Sequence, residues 1–159
     1  MKEIHHLIDM SSIKRLNGVR ERLTVVMDTN AIIRIMKHDG PLRRTLRRFK
    51  GLSLRILILK IVLAELNKIA DYSEEEVVSE ISRKLHSKVT VIGQNEDISS
   101  AAEELEAKYS SAHYPDSVIL ATALISDSTL LSYDQGLLDC AKSEGVKTFV
   151  PKNKEAFAA

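Results

Sequence analysis

Four acidic residues sit where an apolar segment meets a polar one. Asp28 lies in "TVVMDTNAIIRIMK", residues 24 to 37, between Val25, Val26 and Met27 on one side and Ala31, Ile32 and Ile33 on the other. Glu65 lies in "IVLAELNKIA", Asp116 follows Pro115 and opens an apolar stretch, and Asp134 ends "LLSYD". Singly, each has a structural reading. Thr29 or Asn30 could cap a helix after Asp28. Glu65 shares i, i+3, i+7 spacing with Val62 and Ile69, so a carboxylate on that apolar face needs a partner, either an arginine or a cation. Asp116 suits the first turn of a helix, where an acid meets the positive end of the dipole. Two carboxylates about 4 Å apart repel by roughly 4 kcal/mol at an effective dielectric of about 20. Four gathered together cost several times that unless a cation offsets them. A hard divalent ion does so, and Mg²⁺ or Mn²⁺ suits a site of carboxylates and waters.

The elements that would gather them alternate between strand and helix periods. Strands are expected over 24 to 27, 54 to 60, 89 to 92, 129 to 133 and at "KTFV". Helices are expected over 30 to 38, 62 to 71, from Ser73 to about Ser87, over 96 to 110, 115 to 126 and 136 to 143. Ser73 with Glu76 is a capping box, and Gly40–Pro41 and Gly145 are stops. The expected fold is therefore α/β, a three-layer α/β/α sandwich on a central, mainly parallel five-stranded sheet. Ligands of such sheets sit beyond the carboxyl ends of the strands, where Asp28 and Asp134 both fall. The helix behind Asp116 is apolar nearly all round, which makes it central.

A 159-residue chain fits one domain, read as an N-terminal extension over 1 to 23 (a short helix or a tail) and a main domain over 24 to 159. No apolar run reaches the roughly 20 residues of a membrane span, and Met1 to Met10 lack the apolar block of a signal peptide. The single cysteine, Cys140, excludes an internal disulfide and a Cys-rich zinc site and reads as core; a reducing, cytoplasmic location is the expectation. The net charge of +1 conceals a split: residues 1 to 60 carry 14 Lys and Arg against 5 acids, the remainder 9 against 17. Such a split fits a surface for a polyanion or an acidic partner, or two halves that neutralise each other.

In order and context, "VVMDTNAII", "VLAEL", "PDSVILATAL" and "LLSYDQGL" resemble the motifs of PIN-domain ribonucleases of the kind found in VapC toxins. The resemblance covers about residues 24 to 151, with Ser132 where threonine is common and Gly136 where many members carry a further acid. It implies metal-dependent hydrolysis of RNA phosphodiesters. Asp28, Glu65, Asp116 and Asp134 would hold one or two Mg²⁺ or Mn²⁺ ions, with Thr29, Asn30 and Ser132 orienting them. It further implies an antitoxin partner and a homodimer. Arg43, Arg44, Arg47 and Arg48 on a basic helix over 42 to 50, with Arg34, Lys37, His113 and Tyr114, are candidates to touch RNA. Solvated helix charge and an acidic antitoxin segment are the competing uses of those arginines. A receiver domain lacks its acceptor Asp after the third strand, a dehalogenase-type phosphatase lacks its second Asp where Asn30 stands, and no Gly-rich nucleotide loop is present. A PIN-shaped RNA-binding or scaffold protein, or a processing nuclease that is no toxin, are the alternatives.

Overall fold

The computed structural model describes residues 22–37, 44 and 53–149. Arg22 and Leu23 belong to the first strand, while residues 1–21 of the N-terminal extension and the basic helix over 42 to 50, Arg44 apart, lie outside the described residues. So do Arg43, Arg47 and Arg48. Eleven elements follow one another among the described residues: β1 Arg22–Met27, α1 Thr29–Lys37, β2 Ser53–Leu59, α2 Lys60–Ala70, α3 Glu74–Leu85, β3 Lys88–Ile92, α4 Glu96–Lys108, α5 Asp116–Ile125, β4 Thr129–Leu131, α6 Gln135–Ser143 and β5 Thr148–Phe149. β1 begins ahead of the expected residue 24, and α2 starts directly from the end of β2 without a loop.

All five strands pair in parallel, in the order β3-β2-β1-β4-β5. Helices α1, α2 and α3 pack with one another over β2 and β3, while α5 packs against α4, α6, β1 and β4. This is the three-layer sandwich expected from the sequence. Because parallel crossovers are right-handed, a chain that winds outward from β1 to β3 and then from β4 to β5 must put its helices on opposite faces. The winding reverses between β1 and β4, and that reversal opens a crevice beyond their carboxyl ends.

The sequence dictates the core simply. β1 and β2 are each exposed at the first residue, half-buried over the next two and buried from there to the carboxyl end. Helix α5 buries every residue from Ser117 to Ala123, so its nearly uniform apolarity does mark a central helix. Cys140 is buried as expected. The Ser73–Glu76 capping box forms as expected, a cap worth about 1 kcal/mol. Lys84 of α3 donates to the carbonyls of Ile35 and Met36 at 2.9 and 3.1 Å. That satisfies the last turn of α1, whose opposite end carries Asp28 and Thr29.

Candidate active site

β1 pairs with β4 as far as Met27 opposite Leu131, and the Asp28 amide continues the ladder to the Leu131 carbonyl. The next residues, Asp28 and Ser132, therefore stand side by side at the crevice. Ser132, fully buried, donates its hydroxyl to Asp28 Oδ2 at 2.5 Å and accepts from the Asp134 amide at 2.9 Å. One hydroxyl thus orients the first acid and turns the chain toward the fourth. β4 ends at Leu131 rather than at the expected residue 133, and beyond it the Asp134 amide bonds a side chain instead of a neighbouring strand.

Asp28 Oδ1 accepts from the Ala31 amide at 2.9 Å, so Asp28 is itself the cap of α1. The expectation that Thr29 or Asn30 caps this helix is corrected here. Thr29 instead turns its hydroxyl across to α2 and donates to Glu65 Oε1. Asn30 is exposed, with no hydrogen bond to any of the four acids among the described residues. Asp134 repeats the pattern of Asp28: it caps α6 through Oδ1, which accepts from the Leu137 amide at 3.1 Å.

Glu65 is half-buried at the rim of α2. The apolar face drawn through Val62, Glu65 and Ile69 is corrected, because Ile69 is 58% exposed and the buried residues are Val62, Leu63 and Leu66. The last turn of α2 projects past the core, so apolar spacing there no longer marks a buried face. Glu65 has a threonine hydroxyl as partner and no arginine ion pair among the described residues.

Asp116 is the first residue of α5, half-buried, with no side-chain cap ahead of it. The fully buried Ser117 donates to Glu106 of α4 at 2.5 Å and fixes this end of α5. Burial pushes the Asp116 carboxyl up to about 6, with the charges of Asp134, Asp28 and Glu65 adding to the rise and His113 opposing it. Asp28 is also raised, by burial first, against the pull of its bonds to Ser132 and the Ala31 amide, and further by Asp134 and Glu65. The four acids therefore act on one another through space, although they come from four separate segments.

No group of three or more metal-type side chains is already closed into a ligand cage among the described residues. The donor set nevertheless suits magnesium or manganese. Such ions keep several waters and take only one or two carboxylates directly. Burial is the main cause that raises Asp28 and Asp116, with repulsion among the acids adding to it, and a bound cation would offset both.

Around the acids, His113 and Tyr114 are exposed beside Asp116, Tyr114 at 61%. Arg34 is exposed on α1; Lys37 is exposed at the end of α1 away from Asp28, and Arg44 is exposed, neither of the two having a contact with the acids among the described residues. The Arg34 guanidinium carbon lies 4.0 Å from the ring centroid of Tyr133. Tyr133 escaped the sequence reading because no spacing links it to Arg34 across the chain. Gly136, the position of the missing further acid, has a packing reason: a Cβ there would meet Asp134 Oδ1 at 3.3 Å and Ser111 Cβ at 3.4 Å.

The sequence model of the PIN domain matches residues 25–143, most of the chain. The chain belongs to the PIN-domain family. Members of this family are nucleases. Solved structures with the same fold include VapBC2 of Rickettsia felis bound to a DNA fragment from its promoter. It has 19% identity and a TM-score of 0.60, over 80% of this chain and 98% of that one. VapBC-1 of nontypeable Haemophilus influenzae matches with 20% identity and a TM-score of 0.59, over 80% and 98%. DNA-bound VapBC of Salmonella typhimurium matches with 16% identity and a TM-score of 0.58, over the same shares. At these identities the likeness is one of fold, that of VapC-like PIN domains. Comparison with curated protein sequences gives no match. No helix among the described residues is long and apolar enough to cross a membrane.

Proposed function

We propose that this PIN domain is a Mg²⁺- or Mn²⁺-dependent endoribonuclease whose catalytic acids are Asp28, Glu65, Asp116 and Asp134, holding one or two ions. The observation that carries the reading is the hydrogen-bonded arrangement at the β1/β4 reversal of a PIN-family sheet: Ser132 joins Asp28 to the Asp134 segment, Thr29 beside Asp28 bonds Glu65, and Asp116 opens the helix packed on both strands. When bound, a divalent ion supplies charge neutralisation at a phosphoryl group and an activated water for in-line attack.

The protein's own contribution is orientation. Ser132 and the Ala31 amide engage both oxygens of Asp28, so its carboxylate has one setting. Thr29 does the same for one oxygen of Glu65, and the Leu137 amide for one oxygen of Asp134. Asp116 keeps a proton up to a pH of about 6 in the ion-free protein and is ionised above it. Outer partners of this kind are worth roughly 10–100-fold in metal affinity or activity. Asn30, exposed in the first turn of α1, belongs to this reading as a residue that orients metal-bound water. Lys37, Arg44, His113 and Tyr114 are exposed and read as RNA contacts; Arg43, Arg47 and Arg48 belong to the same reading through the sequence. Phosphate contacts of this type grip without reading bases and weaken with salt.

Likeness of fold to VapBC proteins supports the further reading as the toxin of a toxin–antitoxin pair, with an antitoxin chain as partner; a homodimer belongs to the same reading through the sequence resemblance. In this reading residues 24–159 form the nuclease domain and residues 1–23 an extension. The experiment is cleavage of a mixed RNA pool by the purified protein in Mg²⁺, in Mn²⁺ and in chelator. Cleavage in either metal, lost in chelator and in Asp28→Asn, is the expected result. RNA binding without cleavage by either protein would replace the enzyme with a scaffold.

A further inference from the structure

Arg34 stands one turn along α1 from the segment that carries Asp28 and Thr29, exposed, with its guanidinium over the ring of Tyr133 at 4.0 Å. Tyr133 is half-buried against the core and lies between Ser132 and Asp134. The ring is therefore anchored in the segment that sets two of the four acids. Stacking uses the flat face of the guanidinium and leaves its five N–H donors directed outward around the edge. Arg34 takes part in no ion pair among the described residues. Through Tyr133 it stands beside the segment that braces Asp28 and carries Asp134.

A cation fixed by a ring beside an acid cluster, with its fork of donors unspent, matches a phosphate adjacent to the cluster rather than one inside it. Immobilising the side chain beforehand also reduces the entropy lost on gripping that phosphate. Resting on the ribonuclease reading above, we propose that Arg34, positioned by Tyr133, clamps the RNA backbone at a phosphate flanking the one that is cut. Tyr133 is a positioning residue, acting through Arg34.

The test is fluorescence anisotropy of a labelled single-stranded RNA over a range of salt, with and without Mn²⁺, alongside cleavage kinetics. Arg34→Ala is expected to weaken binding about tenfold and to reduce the slope of log K against log salt by about 0.7. In cleavage it raises KM and leaves kcat within about twofold. Arg34→Lys restores part of the binding, because an ammonium keeps the charge but not the fork. Tyr133→Phe, which keeps the ring face, binds as the wild type does. Tyr133→Ala reproduces Arg34→Ala, and the double variant is no weaker than either single one. Wild-type affinity and salt slope in Arg34→Ala overturn the proposal, as do additive losses in the double variant or no RNA binding by the wild type. Loss of poly-glutamate binding with RNA binding intact overturns it in favour of an acidic protein segment. Binding changes as expected without cleavage in any metal keep the clamp and remove the nuclease reading. Metal-dependent cleavage that ignores Arg34 does the reverse.

Discussion

At the amino end of the sheet, Arg55 of β2 sits in register beside Lys88 of β3, and Arg22 of β1 shares their face two residues before Thr24, the partner of Arg55. At the carboxyl end, Asp28 sits beside Ser132 with Asp134 two residues beyond. Both ends gather like charges, yet they do so under different conditions. Arg22 and Lys88 are exposed, and water screens their repulsion well, while Arg55 between them is half-buried with its Nε lacking a hydrogen-bond partner among the described residues. Asp28 is 5% exposed, held by two hydrogen bonds, and raised in pKa together with Asp116. Crowding whose outer members are left to solvent is surface; crowding around a buried carboxylate braced by a hydroxyl points to a ligand.

That contrast breaks most sharply at Asp116. Asp116→Asn is expected to reduce cleavage well beyond the roughly 10–100-fold of an outer partner, while the metal-free protein at neutral pH melts at a higher temperature than the wild type. Activity in Mn²⁺ with a parallel thermal melt checks both halves, and wild-type turnover in the folded variant would remove this site. Next in size is Ser132→Ala. It strips Asp28 of one bond and leaves the Asp134 amide without its acceptor, so cleavage should fall about 10–100-fold and stability by about 1–3 kcal/mol. Single-turnover rates and denaturant melts would register these losses.

A pH series sharpens the comparison further. An acid whose pKa rises on folding binds more protons folded than unfolded between its two values, so stability falls as pH climbs through that window. Asp116, at about 6 against an ordinary 3.8, should make the metal-free protein less stable from about pH 4 to about pH 6. Asp116→Asn should flatten that fall, a difference visible in chemical denaturation at each pH. At the other end of the sheet, Arg22→Ser and Lys88→Ser are expected to change cleavage less than about twofold and stability by less than about 0.5 kcal/mol. A large loss there would mean that the amino edge is more than solvated surface.

Much of this contrast is legible in the sequence because it depends on local order. Each acid follows or interrupts an apolar run, and strand and helix periods alternate clearly enough to identify all five strands and their layered fold. The strand order is another matter, since the reversal between β1 and β4 arises from tertiary pairing. Three local details went differently for physical reasons. Asp28 takes the cap role read for Thr29 or Asn30, because its own carboxylate reaches the Ala31 amide. β4 stops at Leu131, and the Ser132 hydroxyl, bonded to Asp28 and to the Asp134 amide, leads the chain into the cap of α6. Ile69 is exposed because the end of α2 outruns the core. The Arg34–Tyr133 stack joins residues from opposite ends of the domain, and no periodicity can announce such a pair.

The claim that four separated acids form one cation site is tested most directly by calorimetric titration of the RNA-free protein with Mn²⁺, near pH 6 and at pH 7. The account predicts saturable binding of one or two ions, with proton release greater near pH 6, where Asp116 is still partly protonated, and loss of that binding in Asp116→Asn. Absence of Mn²⁺ binding by the wild type, or binding unchanged in the folded Asp116→Asn protein, would contradict it.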